Sequence, residues 1–221
     1  MINGQRYFTS WSGGKDSALA HYQALQEGGS PACLLSMFEE NEEYSRSHSL
    51  PYGVIQAQAD AMDVPLIIRG ASWASYQKKF LELMEIMKRN GVNYGVFGDI
   101  DLEDHLEWVQ RNCEKGGITS YHPLWKKERR QVLTELLDAG FESVIIVVDE
   151  NKLPATFLGR VLDEEAIAEI EERGIDACGE EGEFHTVVVD GPLFNRRIPV
   201  SFKEVERHEG YAFLPVVLQV G

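Results

Sequence analysis

The chain has 221 residues, of which 43% are hydrophobic and 26% are charged, and its formal net charge is −15. This length is enough for one large or two small domains, and no apolar run approaches the roughly 20 residues of a membrane span. Such an acidic surface repels nucleic acids and anionic membranes. Residues 1–6 lack the apolar core of a signal peptide. We therefore expect a cytoplasmic protein that binds neither membranes nor nucleic acids in general.

Strand-like and helix-like segments alternate along the first part of the chain. Apolar residues at helical spacing predict the helices, and short apolar runs predict the strands. We expect strands at 6–11, 32–38, 65–68 and 94–97, and helices at 16–27, 51–62, 76–89 and 102–113. Ser49 is the expected N-cap of the second helix, since it stands two residues before Pro51.

This alternation indicates an α/β fold with a parallel sheet covered by helices on both faces. Ligands of such sheets bind at the carboxyl ends of the strands. The glycine-rich segment after the first strand and Gly98-Asp99 after the fourth are therefore both expected at that edge. We expect the side chains of Lys15 and Asp16 to be exposed there.

The second part of the chain begins near Trp125-Lys126. It is expected to contain helices at 129–139 and 163–173 and strands at 143–148, 186–189, 200–205 and 216–220. Since no long flexible linker is present, we expect the two parts, 1–125 and 126–221, to pack together.

The segment Ser12–Ser17 reads S-G-G-K-D-S and separates the first predicted strand from the first predicted helix. Gly13 and Gly14 let the backbone turn sharply and leave its N–H groups open to an anion. The helix N-terminus adds unpaired N–H donors and the positive end of its dipole. Serine hydroxyls and the charge of Lys15 complete an arrangement that suits a pyrophosphate.

The common phosphate-binding motifs fit this segment less well. A P-loop needs G-x-x-x-x-G-K-[ST], whereas here Asp16 follows Lys15 and Thr9 occupies the place of the first glycine. The dinucleotide fingerprint G-x-G-x-x-G is also absent. The segment instead resembles the signature of the PP-loop ATP pyrophosphatases, which cleave ATP between the α and β phosphates. The alternative is an ordinary glycine turn that caps a helix.

A second polar cluster lies in residues 178–194, where Glu180, Glu181, Glu183 and His185 precede a predicted strand. Carboxylates beside a histidine can shift one another's pKa, hold a cation or transfer protons. Glu183 and His185 are two residues apart, so in an extended chain they face the same side. A solvated acidic loop is the alternative. We expect no metal site made by the protein alone, because carboxylates suit Mg²⁺ held through ATP phosphates.

Two blocks together resemble the diphthine–ammonia ligase family of PP-loop enzymes. They are S-G-G-K-D-S at 12–17, and G-E-E-G-E-F-H-T at 179–186 with D-G-P-L-F at 190–194. G-D-I at 98–100 and P-L-W at 123–125 resemble intermediate blocks of the family. The resemblance covers nearly the whole chain, and its C-terminal block is much more specific than the first.

The resemblance implies a Rossmann-like nucleotide α-hydrolase domain at 1–125 and a smaller C-terminal α/β domain at 126–221. It implies ATP with Mg²⁺, a carboxylate activated as an acyl adenylate, and ammonia as the attacking amine; we also consider a homodimer. On this basis the nucleotide would contact Ser12, Gly13, Gly14, Lys15, Asp16, Ser17, Met37, Gly98 and Asp99. The groups that act on the adenylate would be Glu180, Glu183 and His185.

Two departures from the family pattern leave the acceptor open. The helix after the fourth strand contains Asp101–Gln110 in place of the tyrosine-glutamine and arginine-valine-glutamate residues of members that act on diphthine. Glu181 replaces the usual asparagine or glycine. The acceptor is therefore either a modified protein side chain or a small-molecule carboxylate.

Two other functions are compatible with the glycine-rich segment. One is sulfur transfer, which needs a reactive cysteine. The three cysteines, Cys33, Cys113 and Cys178, are far apart and form no C-x-x-C pair, and only Cys178 lies near the glutamates. The other is ATP binding without catalysis, which leaves the carboxylate–histidine block without a role.

Overall fold

The computed structural model describes residues 1–46 and 48–219. Its contacts divide the chain into two compact units. The first unit contains Met1–Ser12, Asp16–Arg46 and Asp63–Lys127. The second contains Gly13–Lys15, Ser47–Met62 and Glu128–Gly221. The proposed ATP-binding and C-terminal domains, 1–125 and 126–221, stay a prediction.

Helices and strands follow one another closely along the described residues. The helices are α1 (Lys15–Gln26), α2 (Tyr52–Ala61), α3 (Tyr76–Arg89), α4 (Glu103–Lys115), α5 (Arg129–Asp138) and α6 (Glu164–Glu172), and a 3-10 helix covers Ala155–Phe157. The strands are β1 (Arg6–Ser10), β2 (Ser30–Phe38), β3 (Leu66–Gly70), β4 (Tyr94–Val96), β5 (Thr119–Tyr121), β6 (Glu142–Asp149), β7 (Phe184–Asp190), β8 (Val200–Phe202), β9 (Glu206–His208), β10 (Tyr211–Phe213) and β11 (Val216–Leu218).

The first unit is built on a five-stranded sheet with the order β3-β2-β1-β4-β5. Every neighbouring pair in it is parallel, which confirms the predicted fold class. Phe8 and Leu35 of the sheet are buried with Phe80 and Met84 of α3 in one core. Burying each such side chain contributes roughly 1.5–3 kcal/mol.

The second unit combines helices with antiparallel strands. Its larger sheet has the order β7-β6-β10-β9, and β8 pairs with β11 in a two-stranded sheet. Strand β6 has neighbours on both sides, and Ser143–Asp149 are all buried. This burial on both faces explains its uninterrupted apolar sequence. The strand expected at 200–205 ends at Phe202, and Val220 of the last expected strand lies outside the described residues.

Helix α2 begins differently from the prediction. Pro51 is the N-cap residue, with φ −66° and ψ 150°, and no side chain caps the helix. Ser49 has a φ of 51°, in the left-handed region. The N-cap assignment to Ser49 was therefore wrong, because proline at this point already has the φ angle that precedes a helix. In the part of the chain that the structure describes, no helix has both the length and the apolar character needed to cross a bilayer.

Candidate functional site

The end of β1 and the start of α1 bring two hydroxyl groups together. The N–H of Ser12 donates to Oγ of Ser17 at 3.4 Å, and the two Oγ atoms are 3.1 Å apart. Helix α1 is 12 residues long, so its N-terminus carries a developed dipole. Both serines of the predicted phosphate-binding segment therefore lie beside this positive end.

Gly13 and Gly14 occupy positions in the second unit that leave no room for a side chain. Gly13 has a φ of +83°, and a Cβ atom there would lie 2.6 Å from Cδ1 of Leu50. A Cβ atom on Gly14 would lie 2.3 Å from Cε1 of His48 and 3.0 Å from the carbonyl oxygen of Thr186. The two glycines are thus required by the backbone angle at one position and by close packing at the other.

Residues 13–15, which we call the glycine loop, are hydrogen-bonded to β7. The carbonyl of Gly13 accepts from the Val188 N–H at 2.9 Å and from Nε2 of Gln58 at 3.0 Å. Gln58 also donates to the carbonyl of Val188 at 2.8 Å. The Lys15 N–H donates to Oγ1 of Thr186 at 3.1 Å. These bonds satisfy buried polar groups that would otherwise destabilise the fold.

The side chain of Lys15 is buried, although the sequence analysis predicted that it is exposed. It is only 5% exposed, and Nζ lies 6.0 Å from the centroid of the Phe184 ring. The prediction that Lys15 is exposed at the edge of the sheet was wrong, because β7 places Phe184 beside this side chain. The ammonium group lies near the face of the Phe184 ring, and the methylene groups of the lysine are buried with it. The buried ammonium of Lys15 interacts more strongly with a nearby anion than one in bulk water would. Asp16, the next residue, is half-buried.

His48 is a polar residue of this site that the sequence analysis missed. Its Nδ1 lies 2.7 Å from the Thr186 carbonyl oxygen, and its ring centroid is 4.7 Å from that of His185. Burial is the main reason why the pKa of His48 is lowered to about 4; the hydrogen bond to Thr186 opposes this shift, and the charge of Lys15 adds to it. His48 is therefore neutral at neutral pH.

Gln58 was missed as well, although its position carried a signal. It lies on the buried face of α2 with Val54, Ile55 and Ala61, and it is fully buried. A polar residue within an apolar helical stripe needs hydrogen-bond partners. Those partners turn out to be the carbonyls of Gly13 and Val188.

The acidic loop that precedes β7 is held together by its own side chains. Glu183 is 5% exposed. Its Oε2 accepts from the Glu181 N–H at 2.9 Å, and its Oε1 lies 3.5 Å from Nζ of Lys152. The Glu180 N–H donates to Oδ2 of Asp176 at 3.1 Å. The Glu183 carboxylate therefore has a fixed orientation, while His185, half-buried on β7, contacts His48.

A cavity of about 490 Å³ lies against the acidic loop. Positive and negative side chains both face it, and Glu183 is part of its wall. The residues that line it are Asn151, Lys152, Arg173, Gly174, Ile175, Asp176, Glu181 and Glu183.

The remaining predicted nucleotide contacts lie in the first unit. A Cβ atom on Gly98 would be 2.8 Å from the carbonyl carbon of Asp16 and 3.0 Å from the Ser17 nitrogen, so Gly98 lies directly against the first turn of α1. Asp99 accepts from Nδ1 of His122 at 3.1 Å. The carbonyl of Met37 accepts from the Arg46 N–H at 3.1 Å.

The three cysteines are free and buried. Burial raises the pKa of Cys33 to about 11 and that of Cys113 to about 12. The Cys178 thiol donates to the Arg129 carbonyl at 3.1 Å. A nucleophilic thiolate is favoured by exposure and a lowered pKa, so these surroundings do not support sulfur transfer. Within 1–46 and 48–219, no group of three or more His, Cys, Asp or Glu side chains is placed to hold a metal ion.

The chain is similar to curated proteins named diphthine–ammonia ligase. The human protein is 28% identical over 93% of this chain and 86% of its own length, and the bovine protein is 29% identical over the same shares. The zebrafish protein is 26% identical over 93% and 90%. Among solved structures, a predicted subunit of tRNA methyltransferase from Methanocaldococcus jannaschii aligns with 88% of this chain and 100% of its own, with 16% identity and a TM-score of 0.41.

The relatives named diphthine–ammonia ligase place this chain among the ATP-dependent ligases that form amides. A family described as the diphthamide synthase N-terminal domain matches residues 5–120, and one described as the diphthamide synthase C-terminal domain matches residues 128–218. The chain belongs to the diphthamide synthase family. This confirms the resemblance that the two sequence blocks indicated.

Proposed function

We propose that this ligase activates a carboxylate as an acyl adenylate, with release of pyrophosphate, and that ammonia then attacks the acyl carbon to form the amide, with release of AMP and loss of a proton from the nitrogen. The observation that carries the proposal is that the glycine loop and the acidic loop meet on β7. Lys15 is hydrogen-bonded to Thr186, and Glu183 directly precedes the first residue of that strand. The segments that handle the nucleotide and the reacting amine would therefore both be held at the start of β7.

The phosphates of ATP are assigned to residues 12–17. The α1 N-terminus and the hydroxyls of Ser12 and Ser17 supply donors, and Lys15 supplies a charge that neutralises the leaving pyrophosphate. Donors oriented in advance toward developing charge stabilise a transition state more than they stabilise the ground state. Met37 and Gly98 are assigned to the border of the adenine, and Asp99 to the same nucleotide site.

The residues present fit Mg²⁺ as an ion carried mainly by the nucleotide. Mg²⁺ keeps several water ligands and takes one or two carboxylates together with substrate phosphates. Asp16, at the start of α1, is the carboxylate assigned to this ion. When bound, Mg²⁺ would neutralise the charge of the phosphates. Asp16 would orient the ion, and the glycine loop would hold the phosphates.

The acidic loop is assigned to the amine. Glu180, Glu183 and His185 would guide ammonia and remove its proton as the amide forms. The support comes from Glu183, whose carboxylate is buried and oriented by Lys152 and the Glu181 N–H. A general base that is already oriented loses little freedom when the reaction occurs.

The acceptor carboxylate is diphthine or a small molecule. The curated names favour diphthine, and the acidic first turn of α4, with Glu103 and Asp104, departs from the pattern of members that act on it. We assign the reaction to the cytoplasm, in keeping with three cysteines that are all free. Assembly as a homodimer stays an expectation.

Incubation with ATP, Mg²⁺, ammonia and each acceptor class tests the proposal. AMP and pyrophosphate together with an amide support it; ADP as the product contradicts it. We predict that Glu183→Gln and His185→Ala bind ATP within about threefold of the wild-type affinity but form amide roughly 10²–10⁴-fold more slowly. Calorimetric ATP titration and product analysis by mass spectrometry measure the two effects separately.

Lys152→Ala is the matched control for Glu183→Gln. It removes the ion pair with Glu183 and leaves the carboxylate in place. If Glu183 transfers protons, Lys152→Ala loses much less activity than Glu183→Gln, because the Glu181 N–H still orients the carboxylate, and the Glu183→Gln defect persists at saturating ammonia. Equal losses in both variants would show that Glu183 only holds the loop. Loss of ATP binding in both Glu183→Gln and His185→Ala would place the acidic loop against the nucleotide instead.

A further inference from the structure

His48 contacts two parts of the proposed site at once. Its ring lies over His185 with a centroid distance of 4.7 Å and an angle of 39° between the ring planes. Its Nδ1 is 2.7 Å from the carbonyl oxygen of Thr186. His48 is 9% exposed. The roles assigned above make no use of this side chain.

The same ring also fills the space beside Gly14. A Cβ atom on Gly14 would lie 2.3 Å from Cε1 and 2.8 Å from Nδ1 of His48. An imidazole can approach the backbone this closely only where the residue is glycine. One side chain therefore packs against the glycine loop and against His185.

The hydrogen bond defines the chemical form of the ring. A carbonyl oxygen can only accept, so Nδ1 of His48 carries the proton and donates it to the Thr186 carbonyl. The lowered pKa, about 4, agrees with a neutral ring that does not repel the nearby Lys15 ammonium. This neutral form is the one that the geometry requires.

Thr186, the residue whose carbonyl His48 contacts, connects both functional parts of the site. Thr186 accepts from the Lys15 N–H through Oγ1 and from His48 through its carbonyl oxygen, and His185 is the residue before it. In the described part of the chain, strand β7 is at the edge of its sheet and pairs with β6 on one side only, so the hydrogen bond from His48 restrains its other side. This restraint therefore fixes the direction in which the His185 side chain leaves the strand.

We infer that His48 is a positioning residue that keeps His185 aligned with the glycine loop through its hydrogen bond to Thr186; this inference rests on the proposed role of His185. A misplacement of about 1 Å at a reacting group can slow a reaction about 10²-fold. His48 thereby acts on the rate of amide formation without contacting the reacting atoms itself.

Three variants separate the hydrogen bond from the packing of the ring. His48→Ala removes both, His48→Asn keeps a donor close to the place of Nδ1, and His48→Phe keeps a ring without a donor. We expect His48→Ala and His48→Phe to lower kcat for amide formation about 10²-fold, and His48→Asn to recover most of the loss. Wild-type kcat in His48→Ala, or recovery by His48→Phe in place of His48→Asn, would overturn the inference.

His21→Ala is the matched control for His48→Ala, since it makes the same change at another buried histidine. His21 is fully buried, and its Nδ1 lies 2.7 Å from Oγ1 of Thr9, so the same substitution removes a comparable bond elsewhere. It is expected to lower the unfolding midpoint while leaving kcat near the wild-type value. A loss of kcat in His21→Ala equal to that in His48→Ala would show that reduced stability alone explains the effect and would overturn the inference.

A readout that does not need the reaction separates this inference from the proposed function. The ring signals of His185 in NMR spectra report its surroundings directly. They are expected to shift in His48→Ala and to return toward their wild-type positions in His48→Asn. Unchanged His185 signals in His48→Ala overturn the positioning role. Shifted signals in a protein whose wild type forms no amide support the positioning role and contradict the proposed reaction.

Discussion

A single methyl group at Gly14 would collide with both a side chain and the backbone. The space that its Cβ atom would need is taken by Cε1 of His48 at 2.3 Å and by the Thr186 carbonyl oxygen at 3.0 Å. The carbonyl belongs to a paired strand and cannot move far. An alanine here would therefore displace the glycine loop itself.

We predict that Gly14→Ala lowers ATP affinity at least tenfold, because it displaces the glycine loop. A tenfold loss of affinity corresponds to about 1.4 kcal/mol of binding free energy. Calorimetric titration with ATP measures the loss. Gly53→Ala is the control, because the nearest atom to its Cβ position, Cδ2 of Leu218, is 3.8 Å away. Wild-type affinity in Gly14→Ala would remove the glycine loop from the nucleotide site.

Residues 12–17 could be singled out from the sequence because their spacing along the chain is itself the signal. Two glycines, two hydroxyls and a lysine lie next to one another, and the chemistry follows from their types. His48 carries no such signal, and Gln58, as a polar residue on an apolar helix face, indicates only that it needs hydrogen-bond partners and not which ones. Their partners Thr186 and Val188 are 138 and 130 residues away, so only the fold brings them together.

At the scale of elements, α6 has the clearest local determinant. Asp163 has an extended backbone and accepts the Ala166 N–H at 2.9 Å, while Glu164 and Glu165 lie in the first turn beside the positive end of the helix dipole. A side-chain cap of this kind satisfies one of the free N–H groups at a helix start.

Asp163→Ala is expected to lower the free energy of unfolding by about 1 kcal/mol. Asp163→Asn, which keeps an accepting oxygen, should lose much less. Urea denaturation of the two variants beside the wild type provides the measurement. Equal losses would mean that the charge of Asp163, and not its capping oxygen, stabilises α6.

The longer elements were predictable, and three of the shortest strands were not. Helix α3 has the bounds expected from its apolar spacing. Strands β5, β9 and β10 have three residues each, which is too short for an alternating pattern to show. Strand β9 is entirely exposed and charged or polar, so only its pairing with β10 makes it a strand.

At the scale of the whole molecule, two buried histidines make stability depend on pH. Burial lowers the pKa of both His21 and His48 to about 4, against about 6.5 in an unfolded chain. Between these values the unfolded state binds more protons than the folded state. The free energy of unfolding therefore falls as the pH falls from about 6.5 to 4, by up to about 3 kcal/mol for each group.

Urea denaturation at several pH values across this window tests the expectation. His21→Asn removes one of the two titrating groups, so its stability should fall less steeply with acid than that of the wild type. The largest slope that one group contributes is about 1.4 kcal/mol for each pH unit. Parallel curves for the two proteins would show that His21 titrates alike in the folded and unfolded states.

The class of fold followed from the alternation of strands and helices, and the sheet of the first unit confirms it. The composition of the second unit did not follow from the sequence. It takes in Gly13–Lys15 and the segment ending at Met62 as well as the C-terminal part, because residues such as Gln58 and Gly13 have their partners on β7. Hydrogen bonds between distant segments leave no pattern in either segment alone.

The bond between Lys15 and Thr186 joins residues 171 positions apart, and this separation orders events during synthesis. Ribosomes add about 5–20 residues each second, so Thr186 is made roughly 9–34 s after Lys15. For most of that interval, once Ser30–Phe38 have been made, β1 and β2 are available to pair, while the glycine loop has no strand to bind. The most recognisable motif of the chain is thus among the first to be translated and among the last to take its final form.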